Sequence, residues 1–362
     1  MGDNEQNYIK EAFDTNWIAP LGPNVNGFEQ DICEFTGSAY CAALASGTSA
    51  IHLALILLGV KQGDEVLVST FTFSATINPI IYQKAIPIFI DSESETWNMC
   101  PETLEEAILD RIKLGKKPKA VVLVHLYGMP SKMEKILAIA NKYELPVIED
   151  AAEAIGSSYK QKQMGTFGDI GIYSFNGNKI ITTSGGGALV SNTEKYVKQA
   201  VFLATQARDQ APHYQHSHIG YNYRMSNIVA GIGRGQMEVL NERIALRRKN
   251  RAYYYEELKE YSNVQFQEEG ENMFSNYWLT CILTDSFEKR EEIRYALEAE
   301  NIESRPLWKP MHKQPIFKEY PSYLRGVSEH LFEKGLCLPS GSNLNSLDLE
   351  RVVNVVHSCL KG

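Results

Sequence analysis

The chain has 362 residues, 44% apolar and 22% charged, an ordinary globular composition and enough length for two domains. A formal net charge of −8 leaves no electrostatic footprint for nucleic acid. No apolar run approaches the roughly twenty residues that cross a bilayer, and no secretory pattern precedes the first amphipathic segment.

The six cysteines, Cys33, Cys41, Cys100, Cys281, Cys337 and Cys359, show no CxxC spacing. They read as reduced, mostly buried thiols of a cytoplasmic protein. The one basic run, ERIALRRKNR (242–251), has helical spacing and reads as a solvated face.

In chain order, CAALA (41–45) predicts a strand and SAIHLALILLGV a helix. DEVLVS, FSATINPIIYQKA, IPIFID and PETLEEAILDRI repeat the strand–helix rhythm, as do KAVVLVHLYG, SKMEKILAIANKY and LPVIED. This alternation implies a mainly parallel sheet with helices on both faces. Several of the strands are apolar throughout, as strands covered on both sides should be. DIGIYSF and GALVSN follow with no helix between them, which predicts an antiparallel excursion and hence a mixed sheet. From Ser226 a long helical pattern runs on, with a break expected near Gly231–Gly235. It leads into a smaller α+β unit holding YWLTCILT, REEIRYALEAEN and the loop SRPLWKPMHKQP. The expected division is a large domain over 1–240 and a small one over 241–362.

Ligands of open α/β sheets bind beyond the carboxyl ends of strands, and three such ends are informative. In ASGTSAIHLAL (45–55) a strand ends and a helix begins at Ser46-Gly47-Thr48-Ser49. Free N–H groups, hydroxyls and a positive helix end suit a phosphate there, although the motif taken alone reads first as a plain Ser/Thr helix cap. In LPVIEDAAEAIG (145–156) the strand ends at Glu149-Asp150. A carboxylate buried at that point needs a cation, and the protonated ring nitrogen of pyridoxal 5′-phosphate (PLP) would serve. A helix cap is the alternative for Asp150. In SFNGNKIITTSGGG (174–187), Lys179 stands among small residues. A free lysine is almost wholly protonated at neutral pH, so a nucleophilic one must be partly desolvated in a cleft. No GK[ST] follows, which excludes a P-loop. Phosphate cradle, carboxylate and lysine together make up a PLP site, and Phe73 in TFTFSAT (70–76) can stack on the ring or fill core.

These stretches, SGTSA, FTFSAT, EDAAEA, GTFGDIGIYSFNGNKIITTSGGG and GYNYRMSN, resemble the DegT/StrS sugar-nucleotide aminotransferases. The resemblance runs over essentially the whole chain. It implies an α/β fold of the PLP-dependent transferase type I, aspartate-aminotransferase-like. NWIAPLGP, HYQHSHIGYNYR, RPLWKPMH and CLPSGSN further resemble the subgroup that makes UDP-4-amino-4,6-dideoxy-N-acetylglucosamine, the bacillosamine precursor. That pattern usually has a short strand-like stretch ahead of the segment matching GDNEQNYIKEAF, where this chain begins, so a truncated start is an expectation.

Carried over, Lys179 is the Schiff-base lysine and Asp150 the partner of the pyridine nitrogen. Ser174, Thr48 and Ser49 lie at the phosphate, Phe73 on the ring and Glu153 beside it. Asn222 reaches the phosphate of the other subunit's cofactor in a homodimer. His216 belongs to the substrate pocket. His213, His216 and His218 lack accompanying carboxylates or cysteines, so no metal is expected. His125 and Tyr127 end a strand and face the same cleft, or are satisfied core residues. In the lid loop Lys309 would meet a diphosphate and Trp308 a base, with His312 nearby, unless the loop packs on its own domain.

The implied reaction moves an amino group from L-glutamate to the C-4 keto carbon of a UDP-4-keto-6-deoxy-N-acetylhexosamine. A C-3 transaminase and a non-catalytic sugar-nucleotide-binding homologue are the alternatives. Dehydratases of this group carry histidine where Lys179 stands, and an NAD enzyme would need a GxGxxG after a strand.

Overall fold

A computed structural model describes residues 1–361. The large unit opens with α1 (Glu5–Asp14), α2 (Pro23–Thr36), β1 (Tyr40–Leu44), α3 (Gly47–Leu57), β2 (Glu65–Ser69), α4 (Ser74–Tyr82) and β3 (Ile86–Ile90). It continues through α5 (Pro101–Lys113), β4 (Ala120–Val124), α6 (Met133–Lys142), β5 (Val147–Asp150) and a small hairpin, β6 (Ser158–Tyr159) and β7 (Lys162–Gln163). Then come β8 (Ile170–Ser174), β9 (Gly187–Ser191), α7 (Glu194–Ala204), α8 (Asn227–Glu238) and α9 (Leu240–Leu258). The remainder holds β10 (Val264–Phe266), β11 (Met273–Phe274), β12 (Thr280–Thr284), α10 (Phe287–Ala299), β13 (Arg305–Pro306), β14 (Ser322–Tyr323), α11 (Val327–Lys334), β15 (Gly335–Leu338) and α12 (Ser346–Leu360).

The main sheet has the order β1-β9-β8-β5-β4-β2-β3-β14. Only β9 runs against its neighbours, pairing antiparallel with both β8 and β1. The mixed sheet expected from the sequence is therefore present, with its reversal at β8–β9. Successive side chains alternate between two apolar layers. Ala43, Val121 and Leu123 pack with Phe28, Leu104 and Ile136 on one face. Ala42, Leu44, Ala120 and Val122 pack with Ile51, Leu53 and Ile77 on the other. Burial on both faces is why these strands read as apolar runs.

Two boundaries differ from the sequence reading. The long helix breaks at Val239, where φ is −108° and ψ 4°, and not at Gly231–Gly235. The glycines stay helical because α1 and α2 lie against that face of α8. A Cβ on Gly233 would stand 2.7 Å from the Phe28 ring, and one on Gly235 would stand 2.7 Å from the Glu5 nitrogen. The second difference is that the C-terminal part does not stay in its own unit. Its four-stranded sheet, β10-β12-β15-β13, is separate, but β14 returns to extend the main sheet beside β3. The loop before β14 therefore passes over the ends of the large-domain strands.

Gly233→Ala tests this packing. Overpacking costs about 1–3 kcal/mol, while the helix-propensity gain of alanine over glycine is about 1 kcal/mol. The melting temperature of the variant should fall; an equal or higher one contradicts the close approach of α2 to α8.

Candidate active site

The carboxyl ends of β1, β5 and β8 and the lid loop enclose a cavity of about 1400 Å³, lined by Thr48, Phe73, Asp150, Glu153, Ser174 and Lys179 among others. At the end of β1 the chain turns sharply into α3. Ser46 accepts from the Ser49 nitrogen at 3.0 Å, and the Ser46 nitrogen donates to Ser49 Oγ at 3.0 Å. The first-turn N–H groups of Gly47 and Thr48 have no acceptors within the helix. Ser174, at the end of β8, closes on the same turn, and a Cβ on Gly47 would stand 3.2 Å from its Cβ. The result is a small, donor-rich cradle at a helix N-terminus, suited to a phosphate. Ser49 itself is buried and its hydroxyl donates to the Ser46 carbonyl at 2.8 Å. It braces the turn and does not line the cavity, a correction to its expected contact.

Asp150 is the last residue of β5 and is buried. Its Oδ2 accepts from Thr76 Oγ1 at 2.7 Å and its Oδ1 from the Ala152 nitrogen at 3.2 Å. Burial pushes its carboxyl above the usual range, opposed by the Thr76 hydroxyl and the charge of Lys179. Among the described residues no cationic side chain forms an ion pair with it; Lys179 pairs with Glu153 instead, at 3.1 Å. Glu153 is also buried and accepts from the Tyr127 nitrogen at 2.8 Å. Burial raises its carboxyl too, opposed by Lys179 and that hydrogen bond.

Lys179 lies in the turn between β8 and β9, with its nitrogen bonded to the Asn176 carbonyl at 3.0 Å. Its side chain is 12% exposed, the partial desolvation that a nucleophilic lysine requires. The ammonium sits 4.2 Å from the centroid of the Trp278 ring, and Trp278 Nε1 donates to the Asn178 carbonyl at 2.8 Å. The C-terminal unit thus holds the lysine turn from above. Phe73 precedes α4 and is 56% exposed, its ring 5.5 Å from that of Trp308. An aromatic face left open inside a cleft is a stacking surface.

Other expected contacts are placed differently. His125 is fully buried. Its Nδ1 accepts from the Ser131 nitrogen at 3.2 Å, so its proton is on Nε2 and is donated to Glu149 at 2.9 Å. It supports the strand end from behind and does not face the cleft. Tyr127 is fully buried as well, and its hydroxyl accepts from the Trp308 nitrogen at 2.9 Å. It ties the lid down rather than touching the cavity. Trp308 and Lys309 do line the cavity. His312 does not: Nδ1 bonds Thr70 Oγ1 at 2.7 Å and Nε2 meets Glu329 at 3.1 Å, bracing the loop. His216 is exposed, away from this cavity, and donates from Nδ1 to the Gln206 carbonyl at 2.9 Å. Asn222 bridges to Thr205 and also lies outside its own chain's cavity. Trp278 and Thr76 also line the cavity, and the sequence alone does not point to them. Phe73 stands just before α4 with extended backbone, so no helical spacing links it to Thr76; neither Thr76 nor Trp278 has a local signal.

A buried carboxylate without a cation, beside a lysine, a phosphate cradle and an open aromatic face, fits PLP. The cofactor's ring nitrogen would supply the missing charge at Asp150, and Gly47, Thr48 and Ser174 would hold its phosphate. When bound, PLP supplies an aldehyde that carries the amino group and a ring that takes up electrons. Fold and site together define a PLP-dependent enzyme of fold type I. The chain belongs to the DegT/DnrJ/EryC1/StrS aminotransferase family, which matches residues 1–357. It is 53% identical over 360 residues to a Bacillus subtilis protein named "Putative pyridoxal phosphate-dependent aminotransferase EpsN", covering 98% of this chain and 93% of that one. It is 40% identical over 355 residues to GDP-perosamine synthase of Escherichia coli O157:H7, covering 98% and 94%. A 3-aminotransferase of UDP-N-acetyl-3-dehydro-alpha-D-glucosamine from Acidithiobacillus ferrooxidans is 32% identical over 343 residues, covering 94% and 90%. The crystal structure of a DegT DnrJ EryC1 StrS aminotransferase from Brucella abortus superposes with a TM-score of 0.93 at 29% identity, covering 99% and 96%. The protein is accordingly a PLP-dependent sugar aminotransferase.

The buried carboxyls set a pH signature. In the cofactor-free fold Asp150 holds its proton more tightly than in the unfolded chain. The cost of ionising it is absent below about pH 4, the unfolded value, and appears as pH rises through the raised folded value. Asp150→Asn removes that cost. Thermal unfolding of the cofactor-free proteins should show the variant gaining on wild type as pH rises from about 4 to neutral. A difference independent of pH contradicts the buried, unpaired state of Asp150.

Proposed function

We propose that the protein transfers an amino group from L-glutamate to the C-4 keto carbon of a UDP-4-keto-6-deoxy-N-acetylhexosamine, as a cytoplasmic homodimer with shared active sites. The observation that carries this reading is the extent of the cavity. At about 1400 Å³ it runs from Lys179 past Phe73 to Trp308 and Lys309, beyond the roughly 300–1,000 Å³ of an ordinary small-molecule pocket. That is room for a cofactor and a nucleotide sugar together. Trp308 offers a face for the base and Lys309 a charge for the diphosphate, a local cation on a chain of net charge −8. The resemblance of RPLWKPMH and HYQHSHIGYNYR to enzymes of the bacillosamine pathway supports UDP and C-4. The GDP-perosamine and 3-aminotransferase relatives supply the competing base and the competing position.

In this reading Lys179 Nζ moves the proton to and from the reacting carbon, with Glu153 holding the amine at the cavity wall. Asp150 would keep the ring nitrogen protonated, and Phe73 would offer its face to the ring. Three keto substrates decide the assignment: the UDP-4-keto-6-deoxy-N-acetylhexosamine, a GDP-4-keto-6-deoxyhexose and a UDP-3-keto-N-acetylhexosamine, each with PLP and L-glutamate. The first should give the amino sugar fastest by mass spectrometry. Preference for the second reassigns the base, preference for the third the position, and no product from any of them sinks the reading.

Lys179→Ala should lower turnover by at least about 10³-fold, the scale of a lost acid–base group, while the cradle and Asp150 retain PLP. Asn222, outside its own cavity, is assigned to the partner's phosphate. Mixing Lys179→Ala with a bulky substitution at Asn222 should then build hybrid dimers with one intact site. Activity should rise toward about a quarter of wild type if half of the dimers are hybrids. No recovery after verified subunit exchange removes Asn222 from a shared site.

A further inference from the structure

Asp150 is held by a pair of buried threonine hydroxyls. Thr76 Oγ1 donates to Asp150 Oδ2 at 2.7 Å, and Thr72 Oγ1 lies 2.7 Å from Thr76 Oγ1. Both threonines are 1% exposed. A hydroxyl has one proton to give. With Thr76 giving its proton to the carboxylate, the bond between the two threonines is donated by Thr72. A helical threonine commonly bonds back to the carbonyl four residues earlier. Here the residue four earlier is Thr72, and its hydroxyl, not its carbonyl, is the partner. The Thr76 hydroxyl is turned out of the helix toward the end of β5.

We propose that Thr72 and Thr76 are positioning residues that form a directed relay, Thr72 to Thr76 to Asp150, which keeps the Asp150 carboxylate ionised and aimed at the cofactor's ring nitrogen. Among the described residues the relay supplies one of the two hydrogen bonds that the Asp150 carboxylate receives; the other is the longer one from the Ala152 nitrogen. Other charged or titratable groups around it are Lys179 from the β8–β9 turn, Glu153 after β5 and His125 just after β4. Lys179 is engaged with Glu153 and His125 with Glu149. The relay is thus the neutral support of a carboxylate that lacks a cation of its own. It rests on PLP dependence and not on the identity of the sugar.

The test uses PLP-loaded protein with L-glutamate alone, so that only the donor half-reaction is read, by loss of the cofactor's visible absorption. Thr76→Val keeps the shape and removes the hydroxyl; Thr76→Ser keeps the hydroxyl. A hydrogen bond to a charged group is worth about one to two factors of ten. Thr76→Val should slow the maximal rate by about tenfold to a hundredfold, with little change in the glutamate concentration for half-maximal rate. Thr76→Ser should recover to within about threefold of wild type, and Thr72→Val should lose about three- to tenfold. A second readout needs no donor. A ring nitrogen with less positive charge lets the chromophore keep its proton to higher pH, so the titration midpoint of the visible band should move upward in Thr76→Val and return in Thr76→Ser. A wild-type rate and midpoint in Thr76→Val overturn the proposal, as does Thr76→Ser behaving like Thr76→Val. If Thr76→Val does not retain PLP, Thr72→Val decides, and a wild-type rate and midpoint there overturn the relay. If wild type itself is not bleached by glutamate, the donor assignment fails, and the midpoints still judge the relay.

Discussion

The site depends on one electrostatic constraint: a carboxylate buried at the end of a central strand without a cation of its own. Asp150 is 5% exposed, and a buried ionised group is costly unless paired. The chain contains a cation within reach, Lys179, yet directs it to Glu153. This arrangement leaves Asp150 without a cation beside a formed Lys179–Glu153 pair in one cavity. With PLP bound, Asp150 would face a positive ring nitrogen, and Lys179 would leave Glu153 for the cofactor's aldehyde. A ligand that binds only the folded chain adds to its stability, so a cofactor pairing with Asp150 would stabilise the fold.

The remaining architecture keeps that geometry fixed from two sides. The strand ends of the large sheet carry the cradle, Asp150 and Lys179. The C-terminal unit supplies Trp278 above the lysine turn and the lid residues Trp308 and Lys309. Their joint is specific: Tyr127 holds the Trp308 backbone, and Asn276 Nδ2 donates to the Glu153 carbonyl at 2.8 Å. Gly128, with φ +90°, passes so close to Asn276 that a Cβ would stand 1.9 Å from its Oδ1. Any side chain there would push Asn276 away from Glu153.

How much of this is legible in the sequence follows from what is local. The strand–helix rhythm as far as Asp150 is readable because two-sided burial makes each strand an apolar run, and the β8–β9 reversal is readable from the missing helix. Lys179, Asp150, Thr48, Ser174 and Phe73, which line the cavity, are legible because each sits at or shortly after a strand end beside small or polar residues. Ser49 and His125 belong to the same strand ends, but which way a side chain turns there depends on partners far away in the chain. Glu149 claims His125, and the turn itself claims Ser49. Trp278 comes from a hundred residues beyond Asn178, with no spacing to announce it. The glycines of α8 suggest a break because glycine disfavours helix, whereas the packing of α1 and α2 requires glycine in that face.

The pairing of Asp150 with the cofactor's ring nitrogen is read most directly by nitrogen NMR of the protein loaded with ¹⁵N-ring-labelled PLP. The account predicts a protonated pyridinium signal that persists above neutral pH in wild type and gives way to a neutral pyridine signal in Asp150→Asn. A neutral ring nitrogen in the wild-type protein, or the same signal in both proteins, would contradict it.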